Sequence, residues 1–112
     1  MTKNGQRWVF HAEAEAQNAG PGFVRRVIAY NDALMCVENA FEQGSAAPLH
    51  SHPHTQAAYI ADGVFAFEVD GEVKIVRKGD SIFLESNIPH AVSCLETGVV
   101  LDIFTPMRED FV

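Results

Sequence analysis

Turn signals interrupt this chain so often that no helix of ordinary length fits between them. They fall at Asn31-Asp32, Gly44, Gly63, Asp70-Gly71, Gly79 and Gly98, and the intervening runs are rich in β-branched and aromatic residues. A globular helix runs to about 10–14 residues, so runs cut this short fold as strands. The expected strands are residues 6–11, 22–30, 33–41, the segment following Gly44, 56–60, 64–69, 72–76, 81–84, 91–94 and 99–104, with tight turns at 61–63 and 96–98. Asp70-Gly71 specifies a hairpin, because both residues tolerate positive φ. Residues 12–22, AEAEAQNAGPG, carry an Ala/Glu alternation, but Asn18 through Gly22 ends any helical turn, and the stretch reads as a loop. In 33–41, Met35, Val37 and Asn39 share one face and Leu34, Cys36 and Glu38 the other. Such strands imply an all-β sandwich or barrel.

At 112 residues the chain forms one domain, residues 1–112, and a domain of this size buries roughly 65% of its unfolded surface. Phe65, Phe67 and Phe83 are expected in the core. A formal charge of −7, with Arg25-Arg26 and Arg77-Lys78 as the basic pairs, excludes a nucleic-acid backbone as partner. The N-terminus lacks the apolar stretch of a secretory signal, and no run approaches the roughly 20 apolar residues of a membrane span. A cytoplasmic location and no membrane partner are therefore expected. Cys36 and Cys94 read as small core residues; two cysteines make neither a disulfide framework nor a thiolate metal site.

The chemistry concentrates between Gly44 and Gly63. His50, His52 and His54 alternate, so as strand residues they point to one face, and two of them supply half a metal site. Strand geometry does not choose which two. Pro53 interrupts the strand, since it has no amide hydrogen for a ladder, and the bend lets Gln56 turn back toward the histidines as a third donor. His90, beyond Asn87-Ile88-Pro89, is available as a fourth. His11 is assigned no role.

Gly44, His50-x-His52, Gln56 and Gly63, followed by Gly79 through Pro89-His90, resemble the two motifs of the cupin superfamily, with Gln56 in place of the usual glutamate. Glu85, Asn87 and Cys94 depart from the usual residues at their positions, outside the ligand set. The resemblance implies a single cupin (jelly-roll) β-barrel. It selects His50 and His52 as the ligand pair and leaves His54 to the outer shell or pocket rim. HSHPHTQ together with the C-terminal LDIFTPMREDFV is similar to the pectin-degradation cupins, metalloproteins that convert 4,5-unsaturated monouronates to linear, ketonised forms. That resemblance implies His50, His52, Gln56 and His90 as ligands of one divalent transition metal, and Asp102, Phe104 and Arg108 as pocket residues bearing on activity. On the residues alone, Asp102 reads as the partner of a nearby cation and residues 108–110 as a solvated tail.

Three neutral imidazoles and an amide oxygen leave a bound ion its full double charge, which makes a strong Lewis acid. An N/O set of this kind suits Ni, Zn, Fe or Mn alike. Asp102, on one face with Phe104, is the candidate general acid/base, and Arg108 the candidate fork for a substrate carboxylate. The expected function is metal-dependent isomerisation of an unsaturated uronate from pectin or alginate. The alternatives are a cupin-type Fe(II) dioxygenase and a non-catalytic sugar-acid binding module. A homodimer is expected because a lone small barrel exposes edge strands; residues 1–24, with Trp8-Val9-Phe10, are the segment placed at that contact.

Overall fold

The computed structural model describes residues 2–112, and among them every regular element but two short 3-10 turns is a strand. The strands are β1 (Gln17–Gly20), β2 (Phe23–Tyr30), β3 (Met35–Phe41), β4 (Ala46–His50), β5 (Thr55–Val69), β6 (Glu72–Arg77), β7 (Ser81–Leu84) and β8 (His90–Thr105). All pairings are antiparallel. The first half of β5 and the second half of β8 pair with each other, with β7 outside β5 and with β3, β2 and β1 outside β8. The second half of β5 and the first half of β8 pair again, now with β6 and β4 on their outer edges. Two long strands thus run through both layers of one jelly roll. No helix among the described residues is long and apolar enough to cross a membrane.

Residues 61–63 and 96–98, expected as tight turns, lie inside β5 and β8. The β5–β8 register shifts between Ile60 and Phe65, so these are bulges at which the paired strands bend together from one layer into the other. Glycine is required by contact: a Cβ on Gly98 would lie 2.2 Å from the Asp62 carbonyl oxygen, and one on Gly63 2.6 Å from the Gly98 Cα. Asn87 sits at φ 66°, a left-handed conformation that asparagine tolerates better than most residues.

Two further expectations fail near the N-terminus. Residues 6–11 form no strand; their local bonds run from Gln6 Nε2 to the Trp8 carbonyl and from the Gln6 amide to the Lys3 carbonyl, and a 3-10 turn follows at His11–Glu13. Part of the expected loop is strand: Gln17–Gly20 folds back on β2 across Pro21-Gly22, pairing Gln17 with Arg25.

The core fills the space between the layers. Phe23, Phe41, Ile60, Phe65, Phe67 and Leu84 are among its main group, and Val27, Met35, Val37 and Phe104 form a second. In β3 the face carrying Met35, Val37, Asn39 and Phe41 is buried, as alternation predicts. Phe83 is a correction, being 65% exposed. Period two in β7 turns its neighbours Ile82 and Leu84 inward and Phe83 out. Cys94 is buried and Cys36 half-buried, both as free thiols.

Candidate metal centre

His50 closes β4 and His90 opens β8, and the register sets them directly opposite each other. The loop between β4 and β5 carries His52 beside them, held where its carbonyl accepts the Asn87 amide at 2.8 Å. One nitrogen from each of the three rings falls within 4.8 Å of the others. The His50 and His90 tautomers are fixed by what their second nitrogens meet: His50 Nδ1–H donates to the Pro48 carbonyl at 2.7 Å and His90 Nδ1–H to the Ile88 carbonyl at 2.9 Å. A carbonyl oxygen can only accept, so each Nε2 keeps its lone pair. His90 Nε2 is buried with no partner. Gln56 Oε1 lies 2.9 Å from His52 Nε2, which is also about the separation of adjacent donors on an ion with bonds of about 2.1 Å. His54 stands outside the three-histidine group, with its ring 5.4 Å from that of His52 and 6.3 Å from Phe104.

Burial favours the neutral form of His52 and His90, the form that binds metal. His52 is pushed down to about 4, first by burial, then by the charge of Arg108 and by His90, against a small opposing effect of Gln56. His90 is lowered too, again chiefly by burial. An orphaned buried Nε2, three ring nitrogens within 4.8 Å of one another and no carboxylate among them fit a borderline divalent ion.

A second polar cluster is joined to the first through Gln56. Its Nε2 donates to Asp102 Oδ1 at 2.7 Å, and Asn39 Nδ2 donates to Asp102 Oδ2. Asp102 is pushed up to about 7 because burial outweighs those two hydrogen bonds and the weaker attraction of Arg108 and Arg25. No cation pairs with it among the described residues; two amides hold it instead. Past β8 the chain turns at a cis Thr105–Pro106 bond and comes back over the barrel mouth to a 3-10 turn at Glu109–Phe111. Arg108 belongs to the pocket and is no solvated tail: its side chain is 13% exposed, and its guanidinium forks onto Asp110 at 3.1 and 2.9 Å. His50, Gln56, His90, Asp102, Phe104 and Arg108 are among the residues that line a cavity of about 290 Å³. Phe67, expected in the core, both packs there and lines this cavity.

Among the lining residues not singled out as functional from the sequence are Arg25, Asn39, Asp110 and Phe111. For two of them a signal exists. Asn39 occupies an inward position in the β3 alternation, and Arg25 lies between the buried Phe23 and Val27 at the same two-residue step. For Asp110 and Phe111 no periodicity is available, because they sit in a turn.

Comparison with known proteins agrees with this arrangement. The cupin domain model matches residues 38–104, a span that contains His50, His52, Gln56 and His90 as well as Asp102 and Phe104. Pectin degradation protein KdgF of Dickeya dadantii is 36% identical over 108 residues, 95% of this chain and 98% of that protein. The chain belongs to the cupins, among the relatives of KdgF. A solved RmlC-like cupin from Shewanella frigidimarina superposes on this cupin with a TM-score of 0.94 at 33% identity, covering 99% of this chain and 100% of the other. KdgF from Halomonas sp. superposes with a TM-score of 0.91 at 29% identity, covering 96% and 99%.

Proposed function

We propose that this cupin is a metal-dependent enzyme that converts 4,5-unsaturated monouronates, released from pectin or alginate, into their linear ketonised form. The observation that carries the reading is the joining of a neutral donor set to a buried acid across one amide: His52, Gln56 and Asp102 form a continuous chain of contacts. The likeness to KdgF supports pectin breakdown as the setting. The cavity volume, about 290 Å³, lies at the lower end for ligand sites and suits a single sugar acid rather than an oligosaccharide.

His50, His52, Gln56 and His90 would hold one divalent ion of the Ni, Zn, Fe or Mn kind, which supplies Lewis acidity toward a substrate oxygen. The remaining work is proton movement. Opening the hemiacetal ring breaks the bond from carbon 1 to the ring oxygen and leaves an aldehyde and an enol; ketonisation moves the enol proton from oxygen to carbon 4. Asp102 suits this task, because a carboxyl group poised near 7 can both give and take a proton at neutral pH. Asn39 and Gln56 aim its two oxygens, and each oxygen retains a lone pair for the travelling proton. Phe104 presents an apolar wall against the His52 ring, 5.6 Å between centroids, and limits water there. Arg108 contributes positive charge at the mouth, where the substrate's carboxylate would sit.

The test is spectroscopic. Metal-loaded protein should speed the loss of ultraviolet absorbance of a monouronate freshly released by a polyuronate lyase. No acceleration at full metal occupancy would contradict the assignment. We further propose a cytoplasmic homodimer with the exposed Trp8 and Phe10, 72% and 62% accessible in the single chain, at the contact; a monomer by light scattering would remove the dimer.

A further inference from the structure

Arg25 is the arginine of this cavity with nothing to hold. Its guanidinium carbon lies over the Phe111 ring, 3.7 Å from the centroid, a cation–π contact that uses none of the group's N–H donors for a hydrogen bond. Its Nε is buried without a partner, and no carboxylate pairs with it among the described residues. Arg108 stacks on the same ring at 4.3 Å, so one aromatic side chain gathers two guanidiniums at the cavity mouth. Arg108 differs in one respect: its fork is already filled by Asp110, whose side chain is 60% exposed. The two guanidiniums thus have one paired carboxylate, Asp110. Asp102, on the same cavity, is held by the amides of Asn39 and Gln56 rather than by either arginine. Asp110 rides on a short turn pinned by Gln17 Nε2 donating to the Phe111 carbonyl.

We propose that Arg25 and Arg108 form a two-armed subsite for the substrate's carboxylate. In it Arg25 is the open arm, and Asp110 occupies Arg108 until the incoming carboxylate displaces it. The inference rests on the uronate reading above and adds the residue that recognises the acid. A planar carboxylate matches a guanidinium edge in two parallel hydrogen bonds. An arriving monoanion also balances the excess charge that the two arginines place beside each other. Asp110 then acts as an internal competitor: it neutralises Arg108 in the empty cavity and weakens binding in proportion to its hold.

The experiment compares wild type with Arg25→Met, Arg25→Lys and Asp110→Asn, all metal-loaded. Binding of D-galacturonate and of neutral D-galactose is followed by calorimetry, alongside turnover of the unsaturated monouronate. Arg25→Met should raise the galacturonate Kd and the substrate KM about tenfold or more. It should leave kcat within about threefold, with bound metal unchanged. Arg25→Lys should recover only part of the loss, since an ammonium does not offer the paired edge. Asp110→Asn should tighten galacturonate binding several-fold. If Arg25 only pins Phe111, galactose and galacturonate will weaken alike, and that result overturns the subsite. It is equally overturned if Arg25→Met leaves galacturonate binding unchanged, or if wild type holds the acid no better than the neutral sugar. Should Arg25→Met fail to fold, Arg25→Lys and Asp110→Asn carry the same comparison. Selective galacturonate binding without turnover of the unsaturated sugar would sink the proposed reaction while sustaining the subsite; turnover untouched by Arg25→Met would do the reverse.

Discussion

The two ends of the cavity are built in opposite ways. At the histidine end the candidate donors carry no carboxylate and sit on or beside paired strands, with ring orientation set by backbone carbonyls: Pro48 for His50 and Ile88 for His90. At the mouth the groups are charged, and Arg25, Arg108 and Phe111 are held by stacking and by one exposed ion pair on a three-residue turn. The first arrangement is fixed by register, which a side-chain substitution does not shift. The second depends on side chains holding one another. Chemistry that needs fixed distances therefore belongs at the strand end, and recognition that needs exchange of partners belongs at the mouth.

The largest effect should come from breaking the strand end. His52→Ala removes one of the three clustered imidazoles together with its contact to Gln56 Oε1, and bound metal and turnover should both fall to background, read by elemental analysis and the absorbance assay. Asp102→Asn should separate the two clusters. Asn39 can turn its unpartnered Oδ1 toward the new amide, so fold and metal content should survive while kcat falls by about 10²–10⁴. Gly98→Ala tests the strand crossing rather than the site. Its Cβ meets the Asp62 carbonyl, so thermal unfolding should show a loss of about 1–3 kcal/mol from backbone displacement.

Acidity gives a smaller, signed effect on the metal-free protein. His52 moves from 6.5 in the unfolded chain to about 4 when folded, and its contribution to stability is lost as pH falls through that window, by at most about 1.4 kcal/mol per pH unit. His90 is shifted in the same direction. Asp102, raised from 3.8 to about 7, contributes stability below 3.8 that disappears as pH rises through about 7. The two slopes oppose each other between pH 4 and 6.5. Urea melts of wild type should therefore lose stability less steeply on acidification over that range than those of Asp102→Asn. The smallest effect belongs to the mouth: Phe111→Leu removes two cation–π contacts worth about 0.5–1 kcal/mol each. It should raise KM a few-fold, with metal retained.

Much of the strand end was legible because it obeys local rules. Histidines two apart flanked by glycines, a proline that bends the strand and a fourth histidine after a loop are readable one residue at a time. The inward face of β3 followed from alternation, and so did the exposure of Phe83, had period two been preferred to aromatic character in β7. The glycines at 63 and 98 were visible, but their meaning was not. A glycine that closes a hairpin and one that lets two strands bend against each other look alike until the partner strand is known. The mouth was least legible. Arg25 reads as half of a basic pair with Arg26, and only its inward step between Phe23 and Val27 distinguishes it. Asp110 and Phe111 act through contacts with residues far away in the chain.

The central claim is that neutral donors from separate strands and loops meet on one cation. The most direct measurement is a titration of metal-free protein with zinc, followed by the nitrogen resonances of the histidine side chains. The account predicts that the Nε2 signals of His50, His52 and His90 move together and saturate at about one equivalent per chain, while those of His11 and His54 stay in place. Saturation without movement of the His90 signal, or shifts confined to His11 and His54, would contradict it.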